Sequence, residues 1–493
     1  MIHTLKPYPV YRHANVDWLS QVPAHWEVMR LQHVARLNPS KSEAKSFGDG
    51  AIAVFLPMER VGTDGRCDCS DIRTVNELWH GYTYFRRGDV IVAKITPCFE
   101  NGKGACLTDL VTEIGFGSTE FHVLRPLGKI TSRFLYRITT LPEFRRRGED
   151  AMTGAAGQQR IPASFIGRFQ AGLPPVAEQI AIVRFLDWTD RRIRRLIRAR
   201  QRRIKLLEEY KQALIHQAVT GQIDVRTGQP YPVYKDSGVE WLGEVPAHWE
   251  IRRIGQIAKV GNGSTPSRAN AAYWIGGSFP WLNSSSVHEG RIMASDQYVT
   301  EVALAECHLP IVRPGSVLVA ITGQGKTRGT AALLDVKATI NQHLAFITPM
   351  TLDVSPDYLV MFLNAAYPEL RRLSDGAGGT KGALTCEDLR HFKVLIPPIC
   401  EQHQVVNAVI EQVHSAELMI SHTRREIDLI RELRTRLFGD VVTGKLDVRE
   451  IAAHLPDEQH EDDAELIDEA EAADVTDSIN EDELEIVSAE DDL

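Results

Sequence analysis

Residues 320–327, Ala-Ile-Thr-Gly-Gln-Gly-Lys-Thr, have the types and spacing of a relaxed phosphate-binding P-loop, with Ala320 in the place of its first glycine. In a P-loop the glycines bring backbone amides to the phosphates, the lysine neutralises their charge, and a helix begins directly afterwards. Here an apolar run at 331–334, Ala-Ala-Leu-Leu, follows instead and is more typical of a strand. The alternative hypothesis is a loop that contacts DNA phosphates and base edges. Its contact residues would be Thr322, Gln324, Lys326 and Arg328.

Other loops carry side chains suited to the same chemistry. One loop follows the strand-like run 90–93, and a glycine-rich loop at 153–160 aligns with residues 376–381. Glycine lets the backbone approach a phosphate closely, and Gln and Arg can make paired hydrogen bonds to adenine and guanine. The bland alternative is a surface loop that caps the next element. The DNA-contact candidates in these loops are Lys94, Thr96, Lys103, Gln158, Gln159, Arg160, Thr380 and Lys381.

Signals for catalysis are weak. No Gly-x-Gly-x-x-Gly motif opens a helix for S-adenosylmethionine or a dinucleotide, and both Pro-Pro pairs lack the neighbours of an amino-methyltransferase motif. Asp89 and Lys94 are spaced like part of a nuclease motif, but one carboxylate and one lysine are too few for that chemistry. The seven cysteines show neither zinc-ligand spacing nor a disulfide framework. We therefore expect no catalytic residue, no metal site and no cofactor on this chain.

The charge is distributed unevenly along the 493 residues. Residues 457–493 hold 18 Asp or Glu and no Lys or Arg, so residues 1–456 carry 56 basic and 47 acidic side chains, a balance of +9. A basic body suits a polyanion such as DNA. The acidic segment is predicted to be disordered, and serves either solubility or competition with DNA. Residues 191–205 hold nine Lys or Arg and no acid, and form either a solvated helix face or a surface for DNA backbone or an acidic partner.

The segments that must position these loops occur twice in the sequence. Each repeated motif lies the same number of residues after its first copy, and we call this distance the constant shift. Residues 22–27, Val-Pro-Ala-His-Trp-Glu, return unchanged at 245–250. The Pro-Pro pair at 174–175, followed by Glu-Gln at 178–179, returns at 397–402. A period of this length indicates duplication of a whole domain. We expect the repeated tryptophans, Trp26 and Trp249, to be core residues rather than platforms for DNA bases.

Each copy ends in a long amphipathic helix, which begins after the Pro-Pro pair and stops before Gly221 or Gly444. Apolar residues recur along both at heptad spacing, interrupted by Arg200 and Thr423, and this predicts an antiparallel coiled coil. The alternative is that each stripe packs on its own domain. Paired helices of this length would act as a ruler between the two domains. The seam positions are Leu186, Ile193, Ile197, Ile204, Leu207 and Leu214 on the first helix and Val409, Ala416, Ile420, Ile427, Ile430 and Leu437 on the second.

Residues 234–249, Tyr-Lys-Asp-Ser-Gly-Val-Glu-Trp-Leu-Gly-Glu-Val-Pro-Ala-His-Trp, resemble the start of a target-recognition domain in specificity subunits of Type I restriction–modification systems. The Pro-Pro-x-x-Glu-Gln segments resemble the start of that family's conserved helical regions, and the alternation of domain and helix over residues 8–449 is also similar. The resemblance implies a non-catalytic subunit that binds a bipartite site in double-stranded DNA. It also implies two methyltransferase subunits and motor/nuclease subunits as partners, with S-adenosylmethionine, ATP and Mg²⁺ bound on those partners. The alternatives are a P-loop nucleotide-binding enzyme centred on Lys326 and a protein scaffold that does not read a DNA sequence. In the first copy Asn15 replaces Gly238, which departs from the family's turn.

These observations predict an α+β protein with pseudo-twofold symmetry, in which two target-recognition domains of mixed α/β character are separated by two long antiparallel helices. The predicted segments are a first target-recognition domain at 1–172, a first helical region at 173–227, a second domain at 228–395, a second helical region at 396–449 and a disordered acidic tail at 450–493. No run approaches the length of a membrane span and the first residues lack a signal-peptide pattern, so we expect a cytoplasmic protein without membrane contact.

Overall fold

The computed structural model describes residues 5–48, 50–155, 157–323, 326–375 and 382–456. Gln324, Thr380, Lys381 and the acidic segment 457–493, with its predicted disorder, lie outside these ranges. None of the helices formed by the described residues is long and apolar enough to cross a membrane.

The elements of the first copy are strands and short helices followed by one long helix. The strands are β1 Tyr11–Val16, β2 Leu19–Pro23, β3 Glu27–Arg30, β4 Ala35–Leu37, β5 Ile52–Leu56, β6 Ile72–Thr74, β7 Thr83–Arg86, β8 Val90–Ala93, β9 Gly104–Cys106, β10 Ile114–Gly117, β11 Phe121–Pro126 and β12 Gln170–Leu173. The helices are α1 Val75–Leu78, α2 Ser132–Thr139, α3 Pro142–Asp150, α4 Ala163–Arg168 and α5 Val176–Val219.

The elements of the second copy follow the same plan. The strands are β13 Tyr234–Asp236, β14 Glu244–Pro246, β15 Glu250–Arg253, β16 Ala258–Asn262, β17 Phe279–Leu282, β18 Arg291–Ile292, β19 Gln297–Val299, β20 Ser316–Ala320, β21 Ala331–Leu334, β22 Thr339–Ile340, β23 Leu344–Pro349 and β24 Lys393–Ile396. The helices are α6 Ile254–Ile257, α7 Glu301–Glu306, α8 Pro356–Ala365, α9 Tyr367–Asp375, α10 Cys386–His391, α11 Ile399–Val442 and α12 Arg449–Ala453. The mixed α/β character predicted for both domains is confirmed.

The described residues divide into two compact units. Unit 1 comprises the residues up to Ile197 together with those from Asp428 onwards, and unit 2 comprises Arg198–Ile427. Each unit therefore contains one domain, part of α5 and part of α11.

The central sheet of unit 1 is antiparallel, in the order β4-β11-β8-β9, and a second sheet has the order β6-β5-β10-β7. In unit 2 the corresponding central sheet has the order β16-β23-β20-β21, with β18 added at its edge. The registers match as well, since Phe121 pairs with Ala93 in unit 1 and Leu344 pairs with Ala320 in unit 2. The similarity of the two copies, indicated by their repeated motifs, thus extends to the strands of the central sheets. The central strands are buried on both faces, so alternate residues pack in different cores: Val90 and Val92 of β8 in one and Ile91 in another, and likewise Val317 and Leu318 of β20.

The repeated motifs of unit 1 meet at one buried carboxylate. Glu178, 7% exposed, accepts hydrogen bonds from the Tyr8 hydroxyl at 2.7 Å and from Trp26 Nε1 at 2.9 Å, and its other oxygen lies 2.8 Å from His25 Nε2. Burial, and then the hydrogen bond to Glu178, raise the pKa of Tyr8 well above its ordinary value. The motif residues, far apart in sequence, thus form one clamp at the start of α5.

Unit 2 repeats this clamp with one hydrogen bond fewer. The Tyr231 hydroxyl donates to Glu401 at 2.5 Å, and His248 Nε2 lies 2.9 Å from the same carboxylate. Trp249 Nε1, however, has no hydrogen-bond partner among the described residues. Trp26 and Trp249 are both fully buried, as expected for core residues.

The glutamine of each motif ties the start of a long helix to a shorter helix of its domain. Gln179, completely buried, donates to the carbonyl of Lys129 at 2.8 Å and accepts from Thr131 N at 2.8 Å, just before α2. Gln402 does the same with the Asp353 carbonyl at 2.7 Å and Ser355 N at 2.8 Å, just before α8. In both copies, the Pro-Pro-x-x-Glu-Gln motif therefore places the glutamine where it can attach the long helix to the rest of its domain.

The long helices begin and end where the sequence predicts. Both span 44 residues, and the left-handed residues Gly221 (φ 73°) and Gly444 (φ 77°) follow closely. A Cβ atom on Gly221 would lie 2.4 Å from Pro246, and one on Gly444 would lie 2.5 Å from Pro23. Glycine is therefore needed both for the backbone turn and for the close approach of each domain.

The predicted antiparallel pairing of the helices is confirmed within each unit. In unit 2, Lys211 pairs with Glu417 at 2.8 Å and Arg200 with Glu426 at 2.7 Å, so positions further along α5 meet positions earlier on α11. In unit 1, Arg434 pairs with Asp190 at 2.5 Å. The buried or half-buried seam residues are Leu186, Ile193, Ile197, Ile204, Leu207 and Leu214 on α5 and Val409, Ala416, Ile420, Ile427, Ile430 and Leu437 on α11.

The two interruptions of the seam are accommodated differently. Arg200 is half-buried and directs its guanidinium to Glu426. Thr423 is only 2% exposed, and its hydroxyl donates to the Met419 carbonyl of its own helix at 2.7 Å. The buried hydroxyl is thus satisfied without a partner on the other helix.

The segment that ends the second copy pairs with Lys6, which precedes β1 in unit 1. Asp447 N donates to the Lys6 carbonyl at 2.8 Å, matching the hydrogen bond from Asp224 N to the Gln229 carbonyl at 2.8 Å in unit 2. Residues 450–456, which the sequence analysis assigned to the acidic tail, belong to this unit. Ala452 and Leu455 pack in its core, so the tail assignment is wrong before residue 457.

The turn at Asn15 keeps the conformation of its counterpart Gly238. Their φ angles are 52° and 60°, both in the left-handed region. Asparagine tolerates this region better than other non-glycine residues, so the substitution preserves the turn.

Candidate nucleic-acid interface

In unit 1, the two loops singled out in the sequence lie against each other at the end of β8. Thr96 N donates to the Gln159 carbonyl at 3.0 Å, and Gln159 N donates back to the Thr96 hydroxyl at 3.2 Å. Ile161 N donates to the Lys94 carbonyl at 2.9 Å, which fixes the next turn of the second loop. Gln158 is exposed, and Lys94, Thr96 and Gln159 are half-buried. The fold thus gathers polar side chains from distant parts of the chain onto one edge.

An ion pair lies across this edge of unit 1. Arg160 donates two parallel hydrogen bonds to Glu120, Nε to Oε2 and Nη2 to Oε1, both at 3.0 Å. The Arg160 guanidinium holds the pKa of Glu120 below its usual value through these bonds. Because the ion pair is partly exposed, Glu120 and Arg160 can each break it and bind a ligand group instead. A carboxylate can accept from the cytosine amino group, and a guanidinium can donate to guanine.

A buried imidazole supports the edge from below. His122 Nε2 lies 2.9 Å from the Ile161 carbonyl, and its Nδ1 lies 3.2 Å from Asn38 Nδ2. Burial lowers the pKa of His122, so the neutral ring is favoured, with Nε2–H donating and Nδ1 accepting. His122 is a positioning residue for the loop that carries Arg160.

Unit 2 has the same pairing of loops at the end of β20. Leu384 N donates to the Ile321 carbonyl at 2.8 Å, which corresponds to the hydrogen bond between Ile161 and Lys94. After Lys326 the chain continues into β21, which pairs antiparallel with β20. The segment is therefore a hairpin rather than a strand followed by a helix, and the P-loop hypothesis is wrong. Lys326 is exposed on this hairpin loop.

The polar side chains at this edge of unit 2 form a chain of hydrogen bonds. The Thr265 hydroxyl donates to Gln342 Oε1 at 2.5 Å, Gln342 Nε2 lies 3.1 Å from His343 Nε2, and His343 Nδ1 lies 2.6 Å from the Thr322 hydroxyl. If the Gln342 amide donates to Nε2, the imidazole proton must be on Nδ1 and donate to Thr322. Gln342 is exposed and can pair with adenine.

Arg328 does not contribute to this surface, contrary to the sequence-based prediction. It is 6% exposed, and its guanidinium contacts the Asp375 carboxylate and the Gly382 carbonyl. Those contacts hold the loop against the end of α9, so the guanidinium cannot reach a phosphate. In unit 1, Lys103 is half-buried and its ammonium group donates to the Met58 carbonyl at 3.2 Å.

Comparison with known proteins finds similar sequences and similar folds. Residues 246–426 match the family model described as the Type I restriction modification DNA specificity domain. The chain is 35% identical to the specificity subunit of the Type I restriction enzyme EcoEI of Escherichia coli over 181 residues, which is 36% of this chain and 30% of that protein. The corresponding EcoAI subunit is 38% identical over 33% of this chain and 28% of its own length. The chain thus matches under a third of the length of these two relatives.

Longer matches cover almost the whole repeat. The MjaIX specificity subunit of Methanocaldococcus jannaschii is 20% identical over 88% of this chain and 96% of its own length. A solved chain from a study of complex assembly and conformational transition in the type I restriction–modification system has a TM-score of 0.67 at 19% identity, and covers 86% of this chain and 99% of its own length. The HsdS subunit of Thermoanaerobacter tengcongensis has a TM-score of 0.54 at 17% identity, over 85% of this chain and 96% of its own. At these identities the solved structures establish the fold.

Residues 246–426 thus match the Type I restriction modification DNA specificity domain, and the chain as a whole resembles specificity subunits of Type I restriction enzymes. The two structurally equivalent edges of this chain carry different side chains on the same backbone. Position 120 of unit 1 is Glu, whereas its counterpart at position 343 of unit 2 is His.

Sequence reasoning missed the residues that complete each edge. The residues absent from the predicted contact set are Glu120, His122, Thr265, Gln342 and His343. The constant shift between the two copies already aligned Glu120 with His343 as two different polar residues before matching strands, and this signal would have identified them. The DNA-contact roles of Lys94, Thr96, Lys103, Gln158, Gln159, Arg160, Thr322 and Lys326 stay predictions. In the part of the chain that the structure describes, no three metal-ligating side chains come together.

Proposed function

We propose that this chain is a specificity subunit of a Type I restriction–modification system and that it recognises a bipartite, asymmetric sequence in double-stranded DNA, with unit 1 binding one half-site and unit 2 the other. The observation that supports this is the duplicated edge, in which matching backbones present Glu120 with Arg160 in unit 1 and Gln342 with His343 in unit 2. Two identical surfaces would suit a symmetric site. Two different sets of donors and acceptors on one framework suit two different half-sites.

The chemistry of each edge makes the proposal more specific. A Glu–Arg pair offers an acceptor for cytosine and donors for guanine, whereas a glutamine amide suits adenine. We therefore expect a G·C pair in the half-site of unit 1 and an A·T pair in that of unit 2. The net charge of +9 over residues 1–456 provides the attraction for phosphates that does not depend on sequence.

The partners of this subunit follow from the same proposal. We infer that the chain carries no catalytic centre and that it docks two methyltransferase subunits and the motor/nuclease subunits, which bring S-adenosylmethionine, ATP and Mg²⁺. The paired helices α5 and α11 supply the surface to which such partners bind.

Selection from a random duplex library with the full chain tests the recognition role. The variant Arg160→Ala should relax base preference in one half-site only, and Gln342→Ala in the other only. Each loss should be about 5- to 150-fold in discrimination, as expected for one paired contact. Arg328→Gln is a matched control, because Arg328 lies near the edge of unit 2 but is buried, and it should leave the preferred sequence unchanged.

Two results would contradict the proposal. If Arg160→Ala and Gln342→Ala altered the same half-site, the assignment of one unit to each half-site would be wrong. If both lowered affinity for all sequences equally, these side chains would contact phosphates rather than bases.

A further inference from the structure

Three arginines on α5 lie along one line of the helix surface in unit 1. Arg184, Arg191 and Arg195 are separated by seven and four residues, so at about 100° per residue they fall within roughly 40° of one another. We call these three residues the arginine stripe. Arg195 is exposed, and Arg184 and Arg191 are half-buried. None of the three is without an interaction partner.

The last described residues of the chain end at the head of this stripe. Arg184 Nη2 donates to the Leu455 carbonyl at 2.7 Å and to the Pro456 carbonyl at 3.3 Å. Leu455 is 7% exposed and packs in the core of unit 1, which fixes this end of the chain in place. The last described residue, Pro456, therefore lies beside the first arginine of the stripe.

The charge of the segment that follows is complementary to the stripe. Residues 457–493 contain 18 Asp or Glu and no Lys or Arg. The stripe from Arg184 to Arg195 is about 16 Å long at 1.5 Å per residue. Five or six extended residues, at about 3.3 to 3.6 Å each, would cover that distance, so a segment of 37 residues is long enough several times over.

The second copy lacks both the stripe and the acidic segment. Under the constant shift between the copies, the counterparts of the three arginines are Asn407, His414 and Leu418. After α5 the chain continues at Asp224 into the second domain, and no acidic run follows there. Arginines therefore occupy these three positions in the first copy and not in the second, and the first copy's helix is the one that contacts the described end of the chain at Pro456.

We propose that the acidic segment 457–493 binds the arginine stripe of its own chain and screens it from other polyanions. Single exposed ion pairs are weak, but a tethered partner is present at an effective concentration of about millimolar. Several such pairs together keep the stripe covered at low salt, and DNA phosphates must displace the segment to reach it. The contact should weaken steeply as salt rises, because the screening length falls from about 30 Å at 0.01 M to about 8 Å at 0.15 M.

A photo-crosslink in the full-length chain tests the contact directly and without DNA. With p-benzoylphenylalanine at Leu466, peptides containing the stripe should be the main crosslinked products, within a single chain. The variant Arg191→Gln with Arg195→Gln should lower the yield about fivefold at low salt, the order expected for two exposed ion pairs. The matched control is Arg431→Gln with Arg436→Gln, which removes two exposed arginines of α11 in the same unit and should leave the yield unchanged.

Three crosslinking outcomes would overturn the proposal. The crosslinks could map outside the stripe, they could join two chains, or the crosslink yield could decrease as much in the control variant as in the stripe variant. Replacing the acidic residues at 461–469 with their amides gives a second variant that leaves residues 5–456 unchanged, and it too must lower the yield.

Heparin binding tests the screening. In the full-length chain with the amide substitutions, affinity for heparin should rise about fivefold at low salt, and the stripe variant should cancel this gain. Equal heparin affinity with and without the acidic charges would refute the screening. Because neither assay contains DNA, failure of the proposed DNA recognition would leave both results interpretable.

Discussion

The two buried carboxylates of the clamps provide a comparison within one molecule. Glu178 accepts hydrogen bonds from two buried donors, the Tyr8 hydroxyl and Trp26 Nε1. Glu401 accepts from one buried donor, the Tyr231 hydroxyl, since Trp249 Nε1 has no partner in the described part of the chain. We predict that Glu178→Ala destabilises unit 1 more than Glu401→Ala destabilises unit 2.

The magnitude follows from the number of donors left without an acceptor. Each buried unsatisfied donor costs about 1 to 3 kcal/mol, so Glu178→Ala should cost roughly 2 to 6 kcal/mol and Glu401→Ala roughly 1 to 3 kcal/mol. His25 and His248 add little to the difference, because their side chains are 41% and 49% exposed and water can replace the carboxylate. The free-energy cost of the cavity left by each glutamate cancels in the comparison of the two variants, since both glutamates occupy equivalent positions.

Amide hydrogen exchange of the full-length chain, followed by mass spectrometry, measures each unit separately. Peptides from residues 8–26 report on unit 1, and those from 231–249 on unit 2. The difference of about 1 to 3 kcal/mol corresponds to roughly 5- to 150-fold faster exchange in unit 1. As a control, Trp26→Phe should destabilise unit 1, whereas Trp249→Phe should cost unit 2 no hydrogen bond. Equal responses of the two units to their alanine variants would refute the reasoning.

Three further predictions concern single side chains. Arg328→Gln should destabilise unit 2 by about 1 to 3 kcal/mol without changing the slope of log DNA affinity against log salt. Lys326→Ala should lower that slope by about one and leave stability unchanged. Unfolding and binding titrations check both variants, and a lower slope for Arg328→Gln would contradict its buried position. Burial lowers the pKa of His122, so the contribution of His122 to stability is complete above the ordinary pKa of about 6.5 and is lost as pH falls through the lowered pKa of the folded state. His122→Gln should therefore flatten the pH dependence of unit 1 unfolding below about pH 6.5. An unchanged profile would show that His122 does not titrate on unfolding. Thr423→Val should raise the free energy of unfolding, measured with denaturant, by about 0.5 to 1 kcal/mol, because the buried hydroxyl makes a hydrogen bond only to its own helix. A lower unfolding midpoint would mean that the hydroxyl is needed in the seam.

The sequence by itself determined the features that are local or periodic. The constant shift between the repeated motifs predicted the two similar domains. The Pro-Pro pairs and glycines predicted the ends of α5 and α11, because proline starts a helix and glycine permits the left-handed turn after it. The heptad spacing predicted the seam, since residues seven apart on a helix share one face whatever surrounds them.

Only the tertiary structure decided which distant side chains meet. Glu178 was visible as part of a motif, but its bond to Tyr8 joins residues 170 positions apart, and no spacing in the chain specifies such a contact. Lys326 and Arg328 are two residues apart in one loop, with similar charge and the same prediction. The fold leaves Lys326 exposed and buries Arg328 against Asp375, because the position of the loop relative to α9 depends on the packing of the whole of unit 2.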